Sequence, residues 1–441
     1  MRKRVKRDGL RSHGFVYILL RFWNSASMLR SRLVSGFLIV VGALLAAEIG
    51  LRVLQVDSLQ YYYDMKRLHA FHPDYLVGLA PNQDRTIRHY AGLWQGRFTT
   101  NSLGYRGSPE PDGSPVIACL GDSLVMGFGV SDEETFCAKL AGINLHGKKH
   151  QAMNLGVDAF GSVGDYKRLK EASGQLNLDT VLLFVSPNDF TIPPELAKRG
   201  VRPDDLIDED RKNHPELTRF FRIQFEATRI SYLLHALKLS REQLAVTMVT
   251  RRESVRSQMV QAGLSQPEEG DRISSSTGRY ILEQFYAFKK HATCEPEKTS
   301  NAQASCPEPV PDQAGYACIP RPAASELEPL PAITMEAYRN MISLAREKNF
   351  RLVPVFLPVQ VEELYCDMHG KHHALGNYAV RAQAFFEKEG IRTIDLADKV
   401  RDICKLEKHS VLDQIIPGDG HLTKSGNIWA ARALREKLNA L

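Results

Sequence analysis

The pattern of apolar and polar residues along the chain contains five short segments that are typical of β-strands. The run 181–185 is apolar at every position, as expected for a parallel strand covered on both faces. Helical patterns lie between the runs, and this alternation predicts an α/β domain with a parallel sheet between helical layers. The predicted strands are 116–120, 151–155, 181–185, 352–357 and 391–396, and the predicted helices are 135–145, 165–173, 379–389 and 427–440.

The segment between the third and fourth predicted strands is far longer than a parallel crossover needs, which predicts an inserted subdomain at 191–350. Its clearest element is a helix at 217–239 with an apolar stripe at helical spacing. We favour packing of this stripe into a core over a lid or a membrane-surface contact. A Pro-rich tract at 294–331 predicts no regular structure. The stripe consists of Phe220, Ile223, Ala227, Ile230, Leu234 and Leu237.

A different pattern marks the N-terminal part of the chain. Residues 33–54 form a nearly unbroken apolar run, long enough to span a bilayer as a helix. Glu48 and Arg52 interrupt it near its end, at a spacing that allows an ion pair on a helix. We interpret the run as a single membrane anchor. The alternatives are a cleaved signal peptide, whose cleavage site is poorly formed here, and a buried amphipathic helix.

The charge distribution supports this interpretation. The 441 residues carry a net charge of +6, but nine Lys and Arg lie in residues 1–32 beside a single acid, so the remainder is close to neutral. The basic excess therefore belongs to a tail, and the body offers no basic surface for nucleic acid. Because basic flanks stay in the cytoplasm, we expect residues 1–32 to be cytoplasmic and the body to lie on the other side of the membrane.

The seven cysteines fit a body outside the cytoplasm. Two fall in apolar patterns and are expected to be small buried hydrophobes, namely Cys119 and Cys137. Three punctuate the polar, Pro-rich stretch, where a disulfide is expected among Cys294, Cys306 and Cys318. A second candidate pair is Cys366 with Cys404. The sequence leaves the pairing open.

The sequence Gly-Asp-Ser-Leu at 121–124 directly follows the first predicted strand. Ser123 is thereby expected at the carboxyl end of a parallel strand, where open α/β sheets place their chemistry. Backbone N–H groups without an intrahelical partner lie beside it at the start of the next helix. The position fits a nucleophile, and it equally fits a serine that only caps the helix.

Further polar groups follow the later strands. A turn of small residues at 154–161 exposes backbone N–H groups after the second strand, and Asn188 places an amide donor after the third. Near the C-terminus, Asp419 precedes His421 by two positions, so both side chains project to one side of an extended segment. Asp419 would then hold the imidazole in the tautomer that accepts a proton from Ser123. Each pattern alone is a common turn or loop.

Taken together and in this order, the motifs resemble those of the SGNH, or GDSL-type, hydrolase family. The resemblance covers residues 114–441 apart from the insertion. Upstream, Asn-Ser-Leu-Gly-Tyr-Arg-Gly at 101–107 is similar to the entry segment of membrane-anchored bacterial members. The resemblance implies a three-layer α/β/α fold with a five-stranded, mostly parallel sheet in flavodoxin-like order. This domain would comprise 114–190 and 351–441, preceded by an entry segment at 55–113.

The resemblance also implies roles for individual residues. Ser123 would be the nucleophile, His421 the base and Asp419 its partner, with Asp413 in reserve. In the family, an aspartate two rather than three positions before the histidine is a variant associated with envelope polysaccharide esterases and acetyltransferases.

The implied oxyanion hole consists of the backbone N–H groups of Ser123 and Ala159 and the side chain of Asn188. Ala159 stands where the family usually has glycine, so its N–H serves only if the backbone angle there tolerates a Cβ atom.

A competing cluster at 366–373 matches no defined metal site, and we favour a solvated loop with one disulfide cysteine. The chain also has no phosphate loop or dinucleotide fingerprint, so we expect neither a metal nor a cofactor. The cluster consists of Cys366, Asp367, His369, His372 and His373.

The sequence therefore predicts a serine esterase or acyltransferase that acts on O-acyl, chiefly O-acetyl, groups of envelope or exported carbohydrate. It would be anchored by one helix in a bacterial inner membrane and face the periplasm. The alternatives are a lipase or thioesterase for longer acyl chains, and an inactive carbohydrate-binding or assembly protein on the same fold.

Overall fold

The computed structural model describes residues 12–54, 56–89, 92–145, 147–158, 160–190, 215–241, 295–296, 304–305, 318–405, 411–416 and 420–440. The bounds and contacts below refer to these parts of the chain.

A five-stranded parallel sheet forms the centre of the molecule and confirms the predicted α/β class. Its strands run across the sheet in the order β2-β1-β3-β4-β5, and every neighbouring pair is parallel. The first four strands lie within a few residues of their predicted positions, whereas the last is a two-residue edge strand. The strands are β1 (Val116–Leu120), β2 (Gln151–Asn154), β3 (Leu178–Val185), β4 (Arg351–Phe356) and β5 (Ile394–Asp395).

Helices precede, flank and connect these strands. The final helix, α10, begins after Thr423, whose side chain accepts a hydrogen bond from the backbone N–H of Gly426. The helices are α1 (Ser12–Leu54), α2 (Asp57–Leu68), α3 (Ser123–Met126), α4 (Ser162–Ala172), α5 (Pro215–Ile230), α6 (232–241), α7 (Ala332–Lys348), α8 (Val361–Met368), α9 (Asn377–Lys388) and α10 (Lys424–Asn439).

Alternate residues of β1 point into two separate cores. Ile117 and Cys119 join a cluster with side chains of α8 and α10, whereas Ala118 and Leu120 join a cluster with side chains of α4, α7 and α9. This alternation follows from the pleat of a strand, in which successive side chains project to opposite faces. The sheet is therefore covered by helices on both faces, as its continuous apolar strands predict.

The segment between α2 and β1 forms two antiparallel hairpins at the carboxyl end of the sheet. The first pairs His69–His72 with Leu76–Leu79, and the second pairs Asp84–Arg88 with Gln95–Thr99. Their apolar side chains share a cluster with Met126, Val157 and Ile416 from the loops that follow the strands.

The last part of α1, Val34–Leu54, is 21 residues long and apolar enough to cross a membrane, with a mean hydropathy of 2.2 over 18 of its residues. Its apolar side chains are exposed, including Phe37 and Ile39. Arg52 and Glu48 form the predicted ion pair, with 2.6 Å between Nη2 and Oε1.

The helix predicted at 135–145 is absent. A 3₁₀ turn, Asp132–Glu134, precedes the segment, which itself contains one 3₁₀ turn, Ala138–Leu140, followed by Gly142 with a left-handed φ of 72°. The Oδ1 atom of Asn427 accepts a hydrogen bond from the backbone N–H of Phe136 at 2.9 Å. Tertiary partners thus replace the helical hydrogen bonds that the local pattern predicts.

The cysteine predictions are wrong in two places. Cys119 and Cys137 are buried as expected, but they form a disulfide rather than two separate thiols. Cys318 bonds to Cys366, and not to one of its candidate partners Cys294 and Cys306, so the candidate pair of Cys366 with Cys404 is wrong as well. Cys294, Cys306 and the side chain of Cys404 lie outside the described residues.

The core interpretation of the apolar stripe is also wrong. The helix predicted at 217–239 is interrupted at Ser231, and the stripe faces outward, with Phe220 65% and Ile230 70% exposed. Phe225 and Tyr232 are buried instead, because α5 and α6 pack on the body through the other side of the helix. The rest of the predicted insertion lies largely outside the described residues.

Candidate active site

Ser123 is the first residue of α3, at the carboxyl end of β1. The residue that caps this helix is Asp122, whose Oδ1 accepts a hydrogen bond from the backbone N–H of Leu124 at 2.9 Å. The capping interpretation of Ser123 is therefore wrong. Because Ser123 opens the helix, its own backbone N–H has no preceding helical carbonyl to bond.

Two glycines allow the backbone segments around Ser123 to approach each other closely. Gly121 has a φ of 153°, and a Cβ atom there would lie 2.7 Å from Cγ2 of Val125. A Cβ atom on Gly156, in the turn after β2, would lie only 2.2 Å from the backbone N of Met126. The turn after β2 therefore packs directly against the helix that carries Ser123.

Ser123 and His421 meet at the carboxyl end of the sheet. Oγ of Ser123 lies 2.8 Å from Nε2 of His421, although 298 positions separate them in the sequence. The backbone carbonyl of His421 accepts a hydrogen bond from the N–H of Ile416 at 2.7 Å, which holds the loop before α10 in place. The ring of Phe128 packs beside the imidazole, with 4.8 Å between the ring centroids.

The other predicted site residues are described only in part. Asp419 and Ala159 lie outside the described residues. The backbone of Asn188 lies in a 3₁₀ turn, Pro187–Phe190, directly after β3, but its side chain is not described. Asp413 lies in the turn before His421, where its carbonyl accepts a hydrogen bond from Oγ1 of Thr423 at 2.6 Å. The structure thus brings together Ser123 and His421 and leaves the roles of the others as predictions.

Asp189 fixes the turn that carries Asn188. Its Oδ2 accepts a hydrogen bond from the backbone N–H of Ser186 at 3.0 Å, and its carbonyl accepts one from Oγ1 of Thr334 at 2.6 Å. Burial raises the pKa of Asp189, and the charge of Asp122 raises it further. Burial also raises the pKa of Asp165, as do the charges of Asp189 and Asp122. Burial and the neighbouring charges thus favour the protonated forms of Asp165 and Asp189 over their ionised forms.

His69 and Asp158, for which the sequence predicts no role, pair beside the site. Nε2 of His69 contacts Oδ1 of Asp158, in the turn after β2, and Nδ1 of His69 lies 2.6 Å from the carbonyl of Met65. Burial lowers the pKa of His69, but the charge and hydrogen bond of Asp158 outweigh it, so the net pKa is raised. Burial raises the pKa of Asp158, but the charge and hydrogen bond of His69, with a smaller effect of His421, lower it overall.

These two residues lie 89 positions apart. Asp158 falls within the small-residue turn that the sequence singled out, so its position was predictable. Nothing in the local sequence around His69 points to this contact.

The entry segment lies beneath the helix that bears Ser123. Arg106 is fully buried, and its Nε donates to Oδ1 of Asp132 at 3.0 Å. Its Nη1 and Nη2 donate to the carbonyls of Met126, Gly127 and Val130. One buried guanidinium thus donates hydrogen bonds to the carbonyl groups at and after the end of α3 and holds that helix in position.

The cluster at 366–373 is divided among structural contacts. Cys366 is in the disulfide with Cys318, and Nε2 of His372 lies 2.9 Å from Oδ1 of Asn377. Burial raises the pKa of Asp367 to about 8. In the described part of the chain, no group of three or more His, Cys, Asp or Glu side chains is placed to hold a metal ion.

The geometry supports general-base chemistry on a hydroxyl group. An imidazole within hydrogen-bond reach of a serine can remove its proton as the oxygen attacks an electrophile. No protein-family model matches the chain, and no curated protein matches it by sequence. The function is therefore inferred from the fold and from this site.

Proposed function

We propose that the protein is a membrane-anchored serine esterase or O-acyltransferase of the SGNH type. The observation that carries this proposal is the 2.8 Å contact between Oγ of Ser123 and Nε2 of His421 at the carboxyl end of β1. Open α/β sheets bind their ligands at this edge.

In the proposed reaction, Oγ of Ser123 attacks the carbonyl carbon of an ester while its proton passes to Nε2 of His421. The carbonyl π electrons move to oxygen, and the resulting oxyanion is bound by the N–H groups of Ser123 and Ala159 and the side chain of Asn188. Collapse breaks the ester C–O bond, and the leaving alcohol takes the proton from the imidazolium. Asp419 orients the imidazole and stabilises its charge.

The second half of the reaction releases the acyl group from Ser123. Water or a sugar hydroxyl gives its proton to His421 and attacks the acyl-enzyme carbonyl. Collapse of the second oxyanion returns the proton to Oγ of Ser123. Water yields a free acid, whereas a sugar hydroxyl yields an acylated sugar, so the product distinguishes an esterase from a transferase.

The sheet supports the assignment to the SGNH type. The order β2-β1-β3-β4-β5 is that of a flavodoxin-like sheet, whose ligand site lies where the strand order reverses, between β1 and β3. Ser123 follows β1 and Asn188 follows β3, one on each side of that point. We treat residues 191–350 as an insertion between β3 and β4.

The N-terminal part supports a location at a membrane. Val34–Leu54 would span the bilayer, and the basic residues before it would keep the N-terminus in the cytoplasm. The two disulfides, Cys119–Cys137 and Cys318–Cys366, are typical of an oxidising compartment. We therefore place the sheet domain in the periplasm of a bacterium, where acylated envelope or exported carbohydrate is available as substrate.

Labelling with a fluorophosphonate tests the proposed nucleophile. The full-length protein should be labelled on Ser123, and Ser123→Ala should not be labelled. Ser173→Ala is the matched control, since Ser173 lies at the end of α4, where its Oγ donates to the carbonyl of Lys170. Equal labelling of Ser123→Ala would refute the assignment.

A series of aryl esters with increasing acyl length tests the substrate class. We expect acetyl esters to be turned over fastest, and a preference for long chains would favour a lipase or thioesterase instead. No ester turnover, combined with carbohydrate binding that Ser123→Ala retains, would favour the binding-protein alternative.

A further inference from the structure

The exposed apolar stripe of α5 and α6 is unusual for a protein surface. Five large apolar side chains on two consecutive helices are each more than two-fifths exposed, and contiguous apolar surface of this kind marks an interaction site. Basic residues accompany the stripe, since Arg219, Arg222 and Arg241 are also exposed. The exposed apolar residues are Phe220, Ile223, Ile230, Leu234 and Leu237.

The end of α1 holds the junction between α5 and α6. The carboxylate of Glu48 accepts hydrogen bonds from the backbone N–H groups of Tyr232 and Leu233 and from Oγ of Ser231, at 2.8–2.9 Å. Nη2 of Arg52 donates to the carbonyl of Ile230 at 2.9 Å. These contacts explain the break at Ser231, because Glu48 caps the start of α6 and Arg52 caps the end of α5.

Helix α2 fixes the same pair of helices to the body. The rings of Tyr63 and Tyr232 lie 4.6 Å apart, in a cluster that also contains Leu59 and, at its edge, Leu51 of α1. Nζ of Lys66 lies 3.3 Å from the ring centroid of Phe225. The buried side of α5 and α6 therefore has its partners, and in the described part of the chain the stripe is the exposed side of these helices.

We propose that the stripe of α5 and α6 lies in the interface of the phospholipid bilayer that α1 spans. Val34–Leu54 comprises 21 residues, or about 30 Å of helix, which matches the hydrocarbon thickness of a bilayer. Glu48 and Arg52 lie in its last two turns, so the junction they hold is at the level of the headgroups. The stripe is thus attached to the end of the exposed apolar part of α1.

The side chains of the stripe and the neighbouring arginines suit the headgroup region of the membrane. Apolar groups of an interfacial helix enter the boundary between headgroups and acyl chains, and arginines beside them bind phosphates. Tyr61 of α2 packs against Phe128, which packs against His421, so α2 connects the proposed membrane-facing helices to the catalytic site. This inference depends on the proposed membrane anchor but not on the proposed ester chemistry.

Quenching of tryptophan fluorescence by brominated lipid tests the proposal. Full-length protein is reconstituted into phosphatidylcholine–phosphatidylglycerol vesicles, with and without bromine on the upper acyl-chain carbons. All variants carry Trp23→Phe, and each adds one tryptophan, by Ile223→Trp in the stripe, Ile39→Trp in α1 or Lys388→Trp on α9. Lys388 is exposed on α9, a helix whose apolar side packs on the sheet, so its variant serves as the control.

We expect brominated lipid to quench the added emission of Ile39→Trp and Ile223→Trp and to leave that of Lys388→Trp unchanged. Quenching of Ile39→Trp alone would overturn the proposal and leave the anchor intact. Protection of Ile223→Trp from both brominated lipid and aqueous iodide would also overturn it, since another protein surface would then cover the stripe. If neither residue is quenched, the anchor and this inference fail together. Ester turnover on the same vesicles is measured separately and has no bearing on these outcomes.

Discussion

Arg106 and Asp132 form an ion pair beneath the helix that carries Ser123, with 3.0 Å between Nε and Oδ1, and the Arg106 side chain has no exposed surface. Because the guanidinium is buried, water does not compete for the hydrogen bonds that it donates to the carbonyls at the end of α3. Burial lowers the pKa of Arg106 to about 10, which leaves it charged at neutral pH. A segment upstream of the sheet thus holds the helix that carries Ser123 in position.

Arg106→Met should therefore destabilise the full-length protein by about 3–5 kcal/mol, because Asp132 and three carbonyl groups lose their partner. The midpoint of thermal unfolding in detergent measures this loss. Arg97→Ala is the matched control, since the Arg97–Asp84 pair is more than half exposed on both sides and contributes at most about 1 kcal/mol. Equal effects of the two substitutions would contradict the role assigned to Arg106.

The pair of His69 and Asp158 predicts a pH-dependent contribution to stability. The raised pKa of His69 means that its contribution is complete below the ordinary value of 6.5 and is lost as pH rises through the folded pKa. The lowered pKa of Asp158 means that its contribution is complete above 3.8 and is lost as pH falls through the folded pKa. His69→Gln should thus reduce the unfolding midpoint most between pH 3.8 and 6.5. A reduction that stays constant into the alkaline range would argue against the pair.

In the proposed mechanism, the turn after β2 and α3 bind one oxyanion and must therefore lie close together. Gly156→Ala would place a Cβ atom 2.2 Å from the N of Met126, so the turn would have to move away from Ser123. We expect ester turnover to fall by about 10²-fold, the usual effect of a displacement of about 1 Å in an active site. Gly174→Ala should leave turnover unchanged, because its Cβ would make an ordinary contact, 3.5 Å from the carbonyl of Glu171. Full activity of Gly156→Ala would show that the close packing of the turn after β2 against α3 is not needed for catalysis.

The disulfides make a prediction about thiol reactivity. Peptide mapping without reduction should recover Cys119 linked to Cys137 and Cys318 linked to Cys366, and Cys318→Ser should leave Cys366 open to alkylation after unfolding. Loss of the Cys318–Cys366 bond, which closes a loop of 48 residues, should cost about 4 kcal/mol. A peptide that links Cys366 to Cys404 would contradict the pairing.

The sequence predicts the sheet well because its strands are buried on both faces. A run such as 181–185 has apolar side chains in both directions, and few structures other than a central parallel strand suit it. The Ser123–His421 contact is also predictable from the sheet, because the carboxyl ends of its parallel strands lie at the same edge. The local sequence therefore predicts a strand correctly where all of its residues have the same buried environment.

Other features depend on partners that periodicity does not specify. The spacing of Phe220 to Leu237 shows which side chains share a helix face, but it does not say whether a core or another phase covers that face. Cys119 has the same apolar neighbours whether it is a thiol or half of a disulfide. The contact between His69 and Asp158 joins a hairpin strand to the turn after β2 through tertiary packing alone, so no local signal precedes it.

The central claim is that Ser123 and His421 act as one catalytic unit, and a double-mutant cycle on ester turnover tests it most directly. Ser123→Ala, His421→Ala and the double variant should each reduce kcat/KM for an aryl acetate by at least about 10⁴-fold, and to the same residual level, because residues of one unit are not additive. Unfolding midpoints of the three variants serve as the folding control. Turnover retained by either single variant, or losses that multiply in the double variant, would contradict the claim.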